Sequence, residues 1–139
     1  MDNVGIVVDD LKAAIAFFVE LGLELEGEMT VDGPWVDRTV GLEGVRNDIA
    51  MLRTPDGHSR LELMKFQAPP AIAAEQNAVN QLGIRRIMFA VEDIDGVLAR
   101  LQARGAELMG EVTRYEDQYR LCYLRGPEGI IVALAEQLT

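Results

Sequence analysis

The sequence has little of what many structural and catalytic sites are built from. A single cysteine, Cys122, excludes an intramolecular disulfide, so a secreted disulfide framework is ruled out and a reducing cytoplasm is the expected location. In "RLCYLRG" it lies in an expected strand with no histidine beside it in sequence, which reads as a small buried apolar group and not a nucleophile. The only histidine, His58, stands in the turn "PDGHSR", where a solvated loop residue is the ordinary reading, and it is not expected to bind a metal. No stretch approaches the roughly 18 to 20 apolar residues of a membrane span, and "MDNVGIVVDD" lacks the basic start of a secretion signal. A soluble chain without a membrane partner is therefore expected. Basic residues are also short, 13 against 23 acids for a net charge of −10, so the basic face that nucleic acid requires is missing. "DGPWVDRTVG" has neither GxxxxGK[ST] nor GxGxxG spacing, which removes a nucleotide-binding loop.

What is present is an apolar half, 49% of 139 residues, enough for one domain with a real core. It is organised as a repeat. "NVGIVVDDLKAAIAFFVELGLELEGE" (3–28) overlies "RIMFAVEDIDGVLARLQARGAELMGE" (86–111) without a gap, 83 residues apart, with Val8/Val91, Asp10/Asp93, Gly22/Gly105, Leu25/Leu108 and Gly27/Gly110 among the identities. Each copy reads as an extended apolar run, an Asp that caps a helix, an amphipathic segment, and a Gly that closes it. Leu11, Ile15, Phe18 and Leu21 form the expected inner stripe of the first helix, and Ile94, Val97, Leu98 and Leu101 that of the second.

Further on, "MLRTPDGHSRLELMKF" matches "YLRGPEGIIVALAEQL", with Pro-Asp-Gly and Pro-Glu-Gly as turns between strands. The fold class expected is α+β, two β-α-β-β-β units forming a curled mixed sheet around a cup with helices outside. The first unit covers residues 1–66, a connector 67–83, and the second unit 84–139, all in one domain. Pro69-Pro70 should end the preceding strand, and the Ala-rich connector has the composition of a short helix. "DGPWVDRTVGLEGV" is expected to make a short helical or irregular crossing.

The paired units, the opening "VGIVVDDLKAAIAFFVELGLEL" and the closing "YLRGPEGIIVALAEQL" together resemble the vicinal oxygen chelate superfamily, which includes glyoxalase I, bleomycin-resistance proteins and extradiol dioxygenases. The resemblance spans nearly the whole chain. It implies a ligand or metal site in the cup and often a homodimer. In metal-dependent members the ligands come from the first and last strands of each unit. Carried onto this sequence, those positions hold Asn3, Glu62, Arg86 and Ala133, of which only Glu62 has an ordinary ligand side chain.

Strand alternation is an independent check on those positions. Asn3, Gly5 and Val7 share a face, as do Arg86, Met88 and Ala90, while the bulkier alternates face the helix. Glu62 and Ala133 have matching parity. A guanidinium is a permanent cation with no lone pair, so Arg86 at a ligand position would repel a metal. The expectation is a cup with no cofactor and no divalent metal, in which Arg86 supplies the positive charge and pairs with Glu62 while Asn3 adds a hydrogen bond. The bland alternative is an ion pair that closes a degenerate site.

Tyr115, Tyr119 or Arg120 at the edge of the cup, Met88 on its face, and Trp35 from the crossing segment are further candidates for ligand contact. Three functions compete. The first is a bleomycin-resistance-like protein that binds a small molecule. The second is a metal-independent isomerase or lyase in which Glu62 moves a proton and Arg86 stabilises an oxyanion. The third is a metal-dependent lyase or dioxygenase with ligands recruited from His58 or Glu136. An acid paired with Arg is a poor base near neutrality, so binding ranks first.

Overall fold

A computed structural model describes residues 1–75 and 77–138. The chain divides into two compact units, Met1–Ala74 and Glu75–Thr139. The expected sheet is two sheets, one of four strands in each unit.

In the first unit, β1 (Asn3–Val7) leads through α1 (Leu11–Leu21) to β2 (Glu24–Asp32), α2 (Pro34–Val40), β3 (Arg46–Arg53) and β4 (Arg60–Ala68), and the sheet order is β1-β4-β3-β2. Only the β1–β4 pairing is parallel. In the second unit, β5 (Arg86–Val91), α3 (Ile94–Ala103), β6 (Glu107–Tyr115), β7 (Tyr119–Arg125) and β8 (Ile131–Gln137) repeat the plan in the order β5-β8-β7-β6.

The repeat is reproduced down to single hydrogen bonds. Asp10 caps α1 by accepting from the Ala13 amide at 3.0 Å, and Asp93 caps α3 by accepting from the Gly96 amide at 3.1 Å. At the far ends the Leu23 amide reaches the Phe18 carbonyl at 2.9 Å and the Ala106 amide the Leu101 carbonyl at 3.1 Å. Gly22 and Gly105 make those turns with φ of 120° and 95°, which a side chain would resist.

Both cores lie between helix and sheet. Ile94, Val97, Leu98 and Leu101 are buried as the periodicity predicts, against a sheet that buries Leu124, Val132 and Leu134. On α1 the buried set is Ala14, Phe17, Phe18 and Leu21, while Leu11 and Ile15 are only half-buried. The stripe is rotated toward Phe17, whose ring meets Phe18 edge-on at 5.1 Å.

One expectation about the connections is narrowed and another changes. The crossing segment is a helix, α2, started by Pro34, and Asp37 holds the return by accepting from the Gly44 and Val45 amides at 3.0 and 2.9 Å. The Ala-rich connector forms no helix among its described residues. Its prolines and the polar run after Ala74 leave no apolar stripe to pack, and isolated short helices are marginal without one. β4 does end at Ala68, just before Pro69.

Candidate binding faces of the two units

Register settles which side chains share a face. In the first unit Asn3 lies opposite Arg60 and Gly5 opposite Glu62, and Glu62 in turn faces Met51 on β3. Leu61, Leu63, Ala50 and Leu52 have the other parity and are buried. Glu62 is half-buried. The cations nearest in this lattice are taken by another acid: Glu26 accepts from Arg53 at 2.8 Å and from Arg60 at 2.9 Å. The Arg53 guanidinium, with help from Arg60, holds the Glu26 carboxyl below its usual range despite some desolvation.

Glu26 reaches both arginines because β2 carries a one-residue bulge between Leu25 and Gly27, where β3 steps only from Leu52 to Met51. Asn3, expected to serve the Glu62–Arg86 pair, donates its side-chain amide to Asp2 at 2.9 Å, and Arg60 also reaches Asp2 at 3.3 Å. Glu62 makes no hydrogen bond or ion pair with the described residues of its own unit.

In the second unit Arg86 lies opposite Ile131, and Met88, Ala133 and Tyr123 form the next rung across β5, β8 and β7. Ala133 is fully buried and Met88 is exposed. The guanidinium of Arg86 stands 5.3 Å from the centre of the Tyr123 ring, within cation–π range. It makes no ion pair with the described residues of its unit.

Tyr123 also lines an open depression of about 440 Å³ with Met109, Gly110, Glu111, Thr113 and Leu121, and Val79 from the connector. A larger bulge makes room for it: β6 takes four steps from Met109 to Thr113 while β7 takes two, from Tyr123 to Leu121. Gly110, at φ 60°, turns the strand there.

Other candidates fall elsewhere. Arg120 faces the helix and grips Asp95 through two hydrogen bonds of 2.7 and 2.8 Å, so it ties β7 to α3 and is not free for a ligand. Tyr119 and Tyr115 pair at the edge of the sheet and are partly exposed, and Trp35 is exposed on α2. Cys122 is buried, and burial pushes its thiol pKa up, which suits a packing role.

Sequence reasoning missed Tyr123, although "YRLCYLR" places it by alternation on the face of Leu121. It also missed the bulge, for which a glycine inside a strand pattern is the available signal. Asn47 was missed too; it is 5% exposed and its Oδ1 has no hydrogen-bond partner among the described residues.

Comparison with known proteins fits this geometry. The model of the Glyoxalase/Bleomycin resistance protein/Dioxygenase superfamily matches residues 1–134. The chain belongs to that superfamily. A glyoxalase family protein from Bacillus cereus is 56% identical, superposes with a TM-score of 0.96, and is covered over 94% of its length by all of this chain. The uncharacterised protein YaeR of Escherichia coli is 25% identical over 97% of this chain and 94% of its own. A glyoxalase I variant from Zea mays shares the fold alone, with a TM-score of 0.70 at 17% identity over 97% of this chain and 45% of its own.

A divalent metal, which part of this superfamily uses, does not fit the residues present. Arg86 is a cation and Ala133 has no donor, which leaves only Asn3 and Glu62 of the four positions, and no group of three or more His, Cys, Asp or Glu comes together among the described residues. Neither recruit expected for such a site is placed to serve. The His58 side chain is 83% exposed beside Asp56, and Glu136 accepts from the Ile94 amide at 2.8 Å, where it supports the start of α3.

Proposed function

We propose that this superfamily member binds a small organic molecule in the cup expected for the fold, without a divalent metal, in the manner of the bleomycin-resistance proteins. The supporting observation is Arg86. It occupies a position where the resemblance implies a ligand in metal-dependent members, and its guanidinium lies over Tyr123 with no carboxylate among the described residues of its unit to neutralise it. A fixed cation there opposes a metal and favours an organic ligand. Contacts from Asn3, Met88, Tyr119 and Trp35, assembly as a homodimer and a cytoplasmic location belong to the same proposal; Ala133, fully buried, does not reach a ligand.

Elemental analysis of untagged protein purified without chelator tests the metal-free reading. Near-stoichiometric Zn, Ni, Fe or Mn that disappears in Glu62→Gln overturns it. A thermal-shift screen of metals and small charged metabolites tests ligand binding, because a molecule that binds only the native state raises its melting temperature. Organic hits without metal support the proposal, and a screen that responds only to metals contradicts it.

A second reading has its own support: Arg53 and Arg60 are both spent on Glu26, so Glu62 keeps an unpartnered carboxylate within its unit. In a metal-independent isomerase or lyase, Glu62 would take a proton from carbon next to a carbonyl while Arg86 held the enolate oxygen. Deuterium uptake from D2O into a carbonyl ligand, abolished in Glu62→Gln, would establish it; a bound ligand that exchanges no proton excludes it.

A further inference from the structure

We propose that the second unit binds the anionic end of an amphiphilic small molecule on Arg86 and its apolar body along Tyr123 and the depression in the β6 bulge. This deepens the small-molecule reading above and rests on it.

The inference starts from what each part of this face can recognise. Arg86 has five N–H donors in a planar fork, and its contact with the Tyr123 ring leaves the edge of the fork for a carboxylate or phosphate oxygen. Tyr123 continues from that cation into the depression, where Met109, Leu121 and Val79 supply apolar contact. At about 440 Å³ the space is within the range of small-ligand sites, roughly 300 to 1,000 Å³.

The polarity of the face orients the ligand. Glu111 lines the depression, so an anionic group would be repelled there and attracted at Arg86. Arg86 stands on β5 and Tyr123 on β7, and the guanidinium reaches across β8 to 5.3 Å from the ring centre, so the anion-binding group adjoins the apolar contact. The ligand is therefore anionic at one end, with its apolar body directly beside that end, and tolerant of a hydrogen-bond donor near Thr113 and Glu111.

The full chain titrated with 3-phenylpropionate and, separately, with 3-phenylpropionamide tests this, using calorimetry for affinity and amide chemical shifts for location. The acid is expected to bind about ten-fold or more tightly than the amide, as a charge-assisted contact predicts. Shifts should centre on Met109, Thr113, Leu121 and Tyr123. Arg86→Gln, an exposed position whose loss leaves the core intact, should erase the preference for the acid, and Tyr123→Leu should weaken acid and amide alike.

Equal binding of acid and amide overturns the anionic class while leaving small-molecule binding standing. A preference that survives Arg86→Gln, or shifts confined to other surfaces, overturns the site. Binding of neither probe at millimolar concentration overturns the inference; the small-molecule reading fails separately, only if the wider thermal screen also returns no organic ligand.

Discussion

The two units repeat one plan but spend their charges differently. In the first, the bulge residue Glu26 gathers Arg53 and Arg60, and Asp2 joins the chain through Arg60. In the second, the residue 83 places later is Met109. Arg125, the repeat partner of Arg53, turns instead to the Gly129 carbonyl at 3.0 Å, and Arg86 rests on an aromatic ring. The polar pairing across the parallel strands is also exchanged: Asn3 faces Arg60 in one unit, whereas Arg86 faces Ile131 in the other. Equivalent backbones thus present one face whose arginines are paired with acids and one whose Arg86 has no carboxylate partner among the described residues. The scaffold belongs to the repeat, and the proposed binding rests on residues where the copies diverge.

The largest expected effects test whether the two scaffolds matter equally. Phe18 on α1 and Leu101 on α3 are both fully buried. Phe18→Ala should destabilise by about 3 to 5 kcal/mol and Leu101→Ala by about 2 to 5 kcal/mol, through lost burial and a residual cavity. Urea unfolding followed by circular dichroism measures both. A single transition that moves with either substitution would show that the units unfold together, and separate transitions would show that each stands on its own core.

Next in size is a substitution that makes the second unit resemble the first. Met109→Glu puts a carboxylate at the repeat position of Glu26, into the depression beside Tyr123. Affinity for 3-phenylpropionate should fall about ten-fold, the size of one charge-assisted contact, with little change in the unfolding midpoint. Unchanged affinity would mean that the bulge does not border the binding site.

The repeat explains why so much of the fold was legible. Paired Asp caps, closing glycines and alternating strands each appear twice, so an error in reading one copy is checked by the other. The stripe of α3 was readable because its helix has one apolar face. α1 carries Ile15, Phe17, Phe18 and Val19 in succession, and such a run leaves several stripes open until packing chooses Phe17. The candidate site was legible only as parity. Alternation placed Arg86 on the correct face, but the fate of each cation depends on which acid reaches it across the sheet, and a bulge shifts that reach by one or two residues. The connector misled because its alanines favour a helix while its prolines and polar residues leave it no apolar stripe to pack.

A smaller effect separates the two helix starts. At the start of α1 Asp10 accepts from the Ala13 amide, whereas at α3 Asp93 is joined by the Glu136 carboxylate on the Ile94 amide. Asp10→Ala should cost about 1 kcal/mol. Asp93→Ala should cost less, because Glu136 still satisfies one amide and still places negative charge at the positive end of the helix. Equal losses in denaturant unfolding would show that Glu136 contributes nothing to the cap.

The smallest effect concerns acid, and it reads the charge comparison directly. Glu26 and Asp95 both have pKa values lowered by arginine, Glu26 by Arg53 and then Arg60, Asp95 by Arg120. A carboxyl whose pKa is lower in the folded chain than in the unfolded one stabilises the fold at pH values above its unfolded pKa. That contribution declines as pH falls through the carboxylate range, below about 4.3, and is gone once the folded form is protonated. Glu26→Gln should therefore be slightly less stable than the parent at neutral pH and should converge with it in acid, and Asp95→Asn should behave alike in the second unit. Both groups are solvated, so screening keeps each effect small and salt should shrink it further. If 0.5 M NaCl leaves the neutral-pH gap between Glu26→Gln and the parent unchanged, the two arginines are held there by packing and not by charge, and their pairing with Glu26 would need another explanation.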